Sequence, residues 1–232
     1  MSKYIRTLTV FTDIEIQQRE VHLFRGAILK KLGEKADLLF HNHSGENTFR
    51  YAYPLIQYKR IGGMASVVCV EEAVDLIGQF LTEANGTLKI GEREIKWKTV
   101  RILPARLLVQ VWDKPFNYHI SHWLPLNTRN YQLYQNTEGV AERVLLLENI
   151  LKGNLLSMLK GLGIHIDQQI SVKITQLSEP YLMHNKGVSL MAFNVDFACN
   201  LTIPNNVGIG KNASIGFGIV HQERKTKEEK QE

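Results

Sequence analysis

Two histidines one residue apart, His41 and His43, sit in the polar stretch His41-Asn42-His43-Ser44-Gly45-Glu46-Asn47. An imidazole titrates near neutral pH, so it can take up or deliver a proton in acid–base catalysis, and a pair can also offer two nitrogens to a metal ion. A zinc centre would need further ligands. His119 and His122 lie in the other half of the chain, and Cys69 and Cys199 lack ligand spacing. Just downstream, aromatic and basic residues interleave in Phe49-Arg50-Tyr51-Ala52-Tyr53 and Tyr58-Lys59-Arg60. That mixture suits base stacking with phosphate contacts, and equally a half-exposed sheet.

A second segment with chemical potential lies near the C-terminus. Gly208-Ile209-Gly210-Lys211-Asn212-Ala213-Ser214-Ile215-Gly216-Phe217-Gly218 holds four of the 17 glycines around one lysine. Glycines let amide N–H groups crowd an anion, and Lys211 adds positive charge, so the segment can cradle phosphates; alternatively it closes a sheet as a hairpin. A dinucleotide fingerprint would need an acidic residue about 20 positions further on, and the chain ends first. A Walker loop would need a hydroxyl after its lysine, where Asn212 stands. Paired H-x-[ST] motifs of the two-histidine phosphoesterases reduce here to one, His119-Ile120-Ser121.

The elements that must position these residues follow from periodicity. Ile5–Phe11 alternates as a strand; Val21, Phe24, Ile28 and Leu32 keep helical spacing until Gly33. Strands over 51–58 and 64–70 flank a Gly62-Gly63 turn, a second helix covers 71–84, and strands return over 88–100. This reads β-α-β-β-α-β, the split βαβ of a ferredoxin-like unit. The pattern restarts with a strand over 118–126, a helix carrying Val144, Leu147, Leu151, Leu155, Met158 and Leu162, and strands over 170–177 and 188–201. The glycine segment forms a closing hairpin over 208–220. The expected fold class is α+β, two tandem ferredoxin-like units over 1–105 and 106–222, with a charged disordered tail over 223–232.

At 232 residues the chain can bury two cores, and its +5 net charge sits on the folded body, because the last ten residues carry four basic and four acidic groups. A basic balance fits nucleic acid without requiring it. Two cysteines in apolar runs read as buried thiols of a reducing cytosol, and no run of 18 apolar residues suggests a membrane span.

Read as G-x5-G-F-G with an internal lysine, the C-terminal segment resembles the glycine-rich loop of the CRISPR repeat-processing endoribonucleases of the RAMP superfamily. In that family the catalytic histidine typically lies between the first helix and the second strand, where His41 and His43 stand. The resemblance implies a cytoplasmic endoribonuclease with no metal or other cofactor. It would activate the 2′-hydroxyl of CRISPR repeat RNA to leave a 2′,3′-cyclic phosphate and a 5′-hydroxyl. It assigns catalysis to His41 first and His43 second, and RNA contacts to Arg50, Lys59, Arg60, Gly208, Gly210, Lys211, Gly216 and Gly218. It admits other subunits of an effector complex and a homodimer as partners, and a non-catalytic RNA-binding subunit as the alternative. One position departs: some members carry a tyrosine three residues after a glycine in the first helix, and Leu29 follows Gly26 here, leaving Tyr51 or Tyr53 as substitutes.

Overall fold

The computed structural model describes residues 2–33, 43–44, 48–49, 53–82, 86–185 and 187–223. The first unit runs β1 (Lys3–Glu15), a 3₁₀ turn (Gln18–Glu20), α1 (Val21–Leu32), β2 (His43–Ser44), β3 (Thr48–Phe49), β4 (Ile56–Ile61), β5 (Met64–Val70), α2 (Ala73–Thr82), β6 (Gly86–Ile90), β7 (Arg93–Trp97) and β8 (Thr99–Val109). Its sheet has the order β4-β5-β1-β8, all antiparallel, the strand order of a ferredoxin-like unit with the β6–β7 hairpin inserted before its last strand. α1 ends at Gly33, whose φ of 55° fits the residue that lacks a Cβ.

The second unit runs β9 (Val111–Trp123), α3 (Thr128–Asn136), α4 (Val140–Gly161), β10 (Val172–Leu177), β11 (Tyr181–Asn185), β12 (Val188–Leu201) and β13 (Ile219–Gln222). Its order, β10-β12-β9-β13, repeats that of the first sheet, with β11 paired to the start of β12. Leu147, Leu151, Leu155 and Met158 of α4 share one core with Tyr118, Ile120, Val195 and Phe197 of the sheet. Where the first unit has α2 before its last strand, the second has the segment 202–218 instead. No described helix is long and apolar enough to cross a membrane, and both cysteines are buried free thiols.

Three sequence expectations change. β8 continues through Pro104 to Val109, so the chain passes between the units at Gln110 rather than at 105/106. As an edge strand, β8 tolerates the missing N–H of that proline. α3 is an additional helix. It buries only Tyr134, which leaves no apolar stripe for periodicity to detect; its mark is the Asn127 side chain, which accepts from Asn130 N at 2.8 Å as an N-cap. The glycine segment is a largely buried loop and not a regular two-stranded hairpin: its ends are joined by an antiparallel bridge between Gly208 and Ile219, with Ile209 N donating to Gly218 O and Val220 N to Val207 O, while residues 210–217 form no strand of their own.

Both faces of the first sheet are covered. Ile56, Tyr58, Val67 and Cys69 pack toward α1, while Thr7, Thr9, Gln57, Lys59 and Ser66 are buried polar residues on positions that alternate with them. Ile5, Val70 and Val109 of this unit complete the core of the second, and Leu124, Ala192, Ile215 and Phe217 of the second complete the core of the first.

Candidate nucleic-acid interface

The glycine loop spends its hydrogen bonds on the protein. Gly208 N donates to Gln57 Oε1 at 2.8 Å, Ile209 N to Gly218 O at 2.8 Å and Gly218 N to His122 O at 3.1 Å. Its carbonyls accept in turn: Gly208 O from Tyr53 Oη at 2.9 Å, Ala213 O from Lys59 Nζ at 2.7 Å, Ser214 O from Tyr58 N at 2.8 Å, and Gly216 O from Gln18 Nε2 at 2.6 Å. Ile215 lies parallel beside Tyr58, so the loop extends the open edge of the first sheet at β4.

Two glycines are demanded by this fit. A Cβ on Gly208 would collide with Lys59 Nζ and approach Ala213 O to 2.7 Å; one on Gly218, already at φ 62°, would fall into the Ile209 carbonyl. Gly208, Gly216 and Gly218, expected to line RNA, are therefore buried at the seam between units. Lys211 stands exposed, with half-buried Gly210 beside it.

Lys59 differs from its expected role as a surface cation. It is 0% exposed, its ammonium is held by Ala213 O, and burial pulls its pKa down to about 7. Its neighbour Arg60 is exposed; Nε donates to Ile16 O at 2.7 Å, and the side chain borders an open depression shared with Glu20 and Arg93.

His43 belongs to the small β2–β3 hairpin, paired with Phe49; His41, Arg50 and Tyr51 lie outside the described residues. The hairpin is tethered close to the seam. Tyr53 is four residues beyond Phe49, at most about 14 Å of chain, and it is fixed by its bond to Gly208 O. Gly161 at the end of α4 leaves the space: a Cβ there would lie 2.7 Å from Tyr53 N. Burial pushes the Tyr53 phenol up, and its proton is committed to a carbonyl, so it is poorly suited to replace the missing proton-transfer tyrosine.

Sequence reasoning passed over a polar network on the second sheet. His119 pairs across the sheet with Asp196 through Nδ1 and opposes His221 on the other side. His122, at φ 52°, donates its backbone N–H to Asn194 Oδ1 at 2.9 Å, and Tyr181 Oη donates to the same oxygen at 3.0 Å. Asn194 Oδ1 can only accept, so the Tyr181 proton is spent there. His122 Nδ1, 2.8 Å from Tyr181 Oη, must then be the donor in that contact, which leaves Nε2 as the nitrogen with no hydrogen-bond partner among the described residues. Burial lowers the pKa of His122, helped by Arg60 and His119; burial likewise lowers that of His221, helped by His119 and Lys59. The motif His119-Ile120-Ser121-His122 was visible, but its partners at 181, 194, 196 and 221 converge only through strand register.

The fold agrees with known proteins. Models of the Cas6b N-terminal and Cas6b C-terminal domains match residues 3–106 and 110–223. An uncharacterized protein of Methanocaldococcus jannaschii is 37% identical over 139 residues, 57% of this chain and 93% of that one. A solved structure described as Cas6b has a TM-score of 0.84 at 26% identity, covering 95% of this chain and 100% of its own. Another, described as the CRISPR RNA processing endoribonuclease Cas6b, has a TM-score of 0.73 at 25% identity, covering 96% and 100%.

Proposed function

Because the chain belongs to the Cas6b family of CRISPR repeat-processing RAMP-superfamily proteins, we propose that it is an endoribonuclease that cleaves CRISPR repeat RNA. The observation that carries this reading is the end-to-end agreement with a solved CRISPR RNA processing endoribonuclease, both units included.

The 2′-oxygen upstream of the scissile phosphate attacks phosphorus, the bond to the 5′-oxygen breaks, and a 2′,3′-cyclic phosphate and a 5′-hydroxyl result. One proton leaves the 2′-hydroxyl and one joins the departing oxygen. Imidazole suits both transfers near neutral pH, each worth roughly 10²–10⁴ in rate. His41 is the first candidate and His43, which pairs with Phe49 in the β2–β3 hairpin, the second. Arg50, Arg60 and Lys211 are the candidate cations for phosphate oxygens, while Lys59 serves the loop. The reaction proceeds in this reading without a metal.

Incubating the protein with repeat RNA in excess chelator tests it. Cleavage to cyclic-phosphate ends is expected; binding without cleavage would make the chain a non-catalytic RNA-binding subunit, and a 3′-hydroxyl with a 5′-phosphate would overturn the mechanism.

A further inference from the structure

A cavity of about 310 Å³ opens where the two units meet, between the 3₁₀ turn with the start of α1 on one side and β11 on the other. Its floor is apolar: Ile215 and Phe217 of the glycine loop, 8% and 4% exposed, and Met183 of β11. Apart from exposed Leu182, its rim is polar and basic. Gln18 commits Nε2 to Gly216 O, which leaves Oε1 as an acceptor, and His184 engages Ser189 Oγ through Nδ1 at 2.9 Å, which leaves Nε2. Arg19 and His22 add donors beside them.

An apolar floor with a few hydrogen-bonding groups at its edge matches one ligand chemistry closely: a flat aromatic heterocycle whose faces are buried and whose edge is polar. The volume is at the small end of the ~300–1,000 Å³ range of ligand sites, so it admits one base and not a duplex. The exposed guanidinium of Arg19 suits the phosphate that follows such a base out of the cavity. Neither unit forms the site alone, since α1 and its preceding turn come from the first and β11 and the loop from the second. We propose that this cavity binds a single unpaired base of the repeat RNA. The inference rests on the RNA reading above and adds to it a point of base recognition built from residues other than the candidate histidines.

The test scans single abasic nucleotides through uncleavable repeat RNA and measures affinity for the wild type and for a His22→Ala/His184→Ala variant whose melting temperature matches the wild type. One position should lose roughly tenfold in affinity with its base, and the variant should lose a similar factor on intact RNA and nothing further at that position. If the cleavable repeat RNA is cut and its uncleavable form is bound, yet no abasic position is coupled to the variant, the cavity proposal is overturned while the endoribonuclease reading stays intact. A protein that binds no repeat RNA overturns both. Free nucleoside monophosphates supply the remaining arm: if they bind the wild type and not the variant, with no coupled RNA position, the occupant is a free nucleotide and the assignment to repeat RNA fails.

Discussion

Lys59 is a cation held where a cation is costly. Its pKa falls from the ordinary 10.5 to about 7, so between those values the unfolded chain keeps a proton that the folded chain has released, and folding is favoured as pH rises. Below about 7 both states hold the proton and the slope disappears. Thermal melts of the wild type, compared with Lys59→Met, should therefore show stability rising from pH 7 toward pH 9.5 by up to roughly 3 kcal/mol; a flat difference would mean that the ammonium is solvated. The proposed chemistry makes different demands. His41→Ala is expected to reduce single-turnover cleavage about 10²-fold with RNA affinity nearly unchanged, because a proton-transfer group acts in the transition state. Tyr53→Phe should cost about 1 kcal/mol of stability through the lost bond to Gly208 O and leave the rate unchanged. A rate loss as deep as that of His41→Ala would instead make the phenol a catalytic group.

The glycine loop replaces a helix, and that exchange explains both what the sequence disclosed and what it concealed. Amphipathic spacing marked α1 and α4, and the Gly62-Gly63 pair marked the β4–β5 turn, because each depends on neighbours in the chain. The loop's glycines were equally visible, but glycine permits close approach by any partner, an RNA phosphate or a buried lysine alike. Only the partner's position decides, and Gln57, Lys59 and His122 are more than eighty residues distant in sequence. The His119–Asp196 pair was hidden for the same reason, since register brings the two strands together. Two substitutions separate the loop's roles. Gly218→Ala forces a Cβ onto a positive-φ residue against the Ile209 carbonyl and should destabilise the fold by roughly 2 kcal/mol or more. Lys211→Ala, at an exposed position, should leave the melt unchanged and flatten log affinity against log salt by about 0.7 if that lysine meets a phosphate of single-stranded RNA. An unchanged salt slope would remove Lys211 from the interface.

Two repeats of one topology ordinarily have two cores and can unfold separately, yet here each core is finished by the other unit. Ile5, Val70 and Val109 seal the second core, Ile215 and Phe217 seal the first, and Thr202 Oγ1 holds Leu108 O at 2.6 Å where β8 ends. The polar face of the first sheet would be left uncovered in isolation: Gln57 would lose Gly208 N, Lys59 would lose Ala213 O, and Thr9 would lose its contact with Asn206 Nδ2. Uncovered, those groups would bond to water instead, and each unit would forgo about 0.5–1.5 kcal/mol per lost hydrogen bond together with the apolar contacts that the other unit supplies, a large share of a small domain's net stability. The full chain should accordingly unfold in one transition, with near-ultraviolet and far-ultraviolet signals coincident in denaturant. Gly218→Ala, although it lies in the second unit, should move that whole transition, including the signal of a fluorophore placed on α2 of the first. Two separated transitions, or a lesion confined to its own unit, would show that the seam is an adjustable contact between independent domains, and a base-binding cavity built from both walls would then form only transiently.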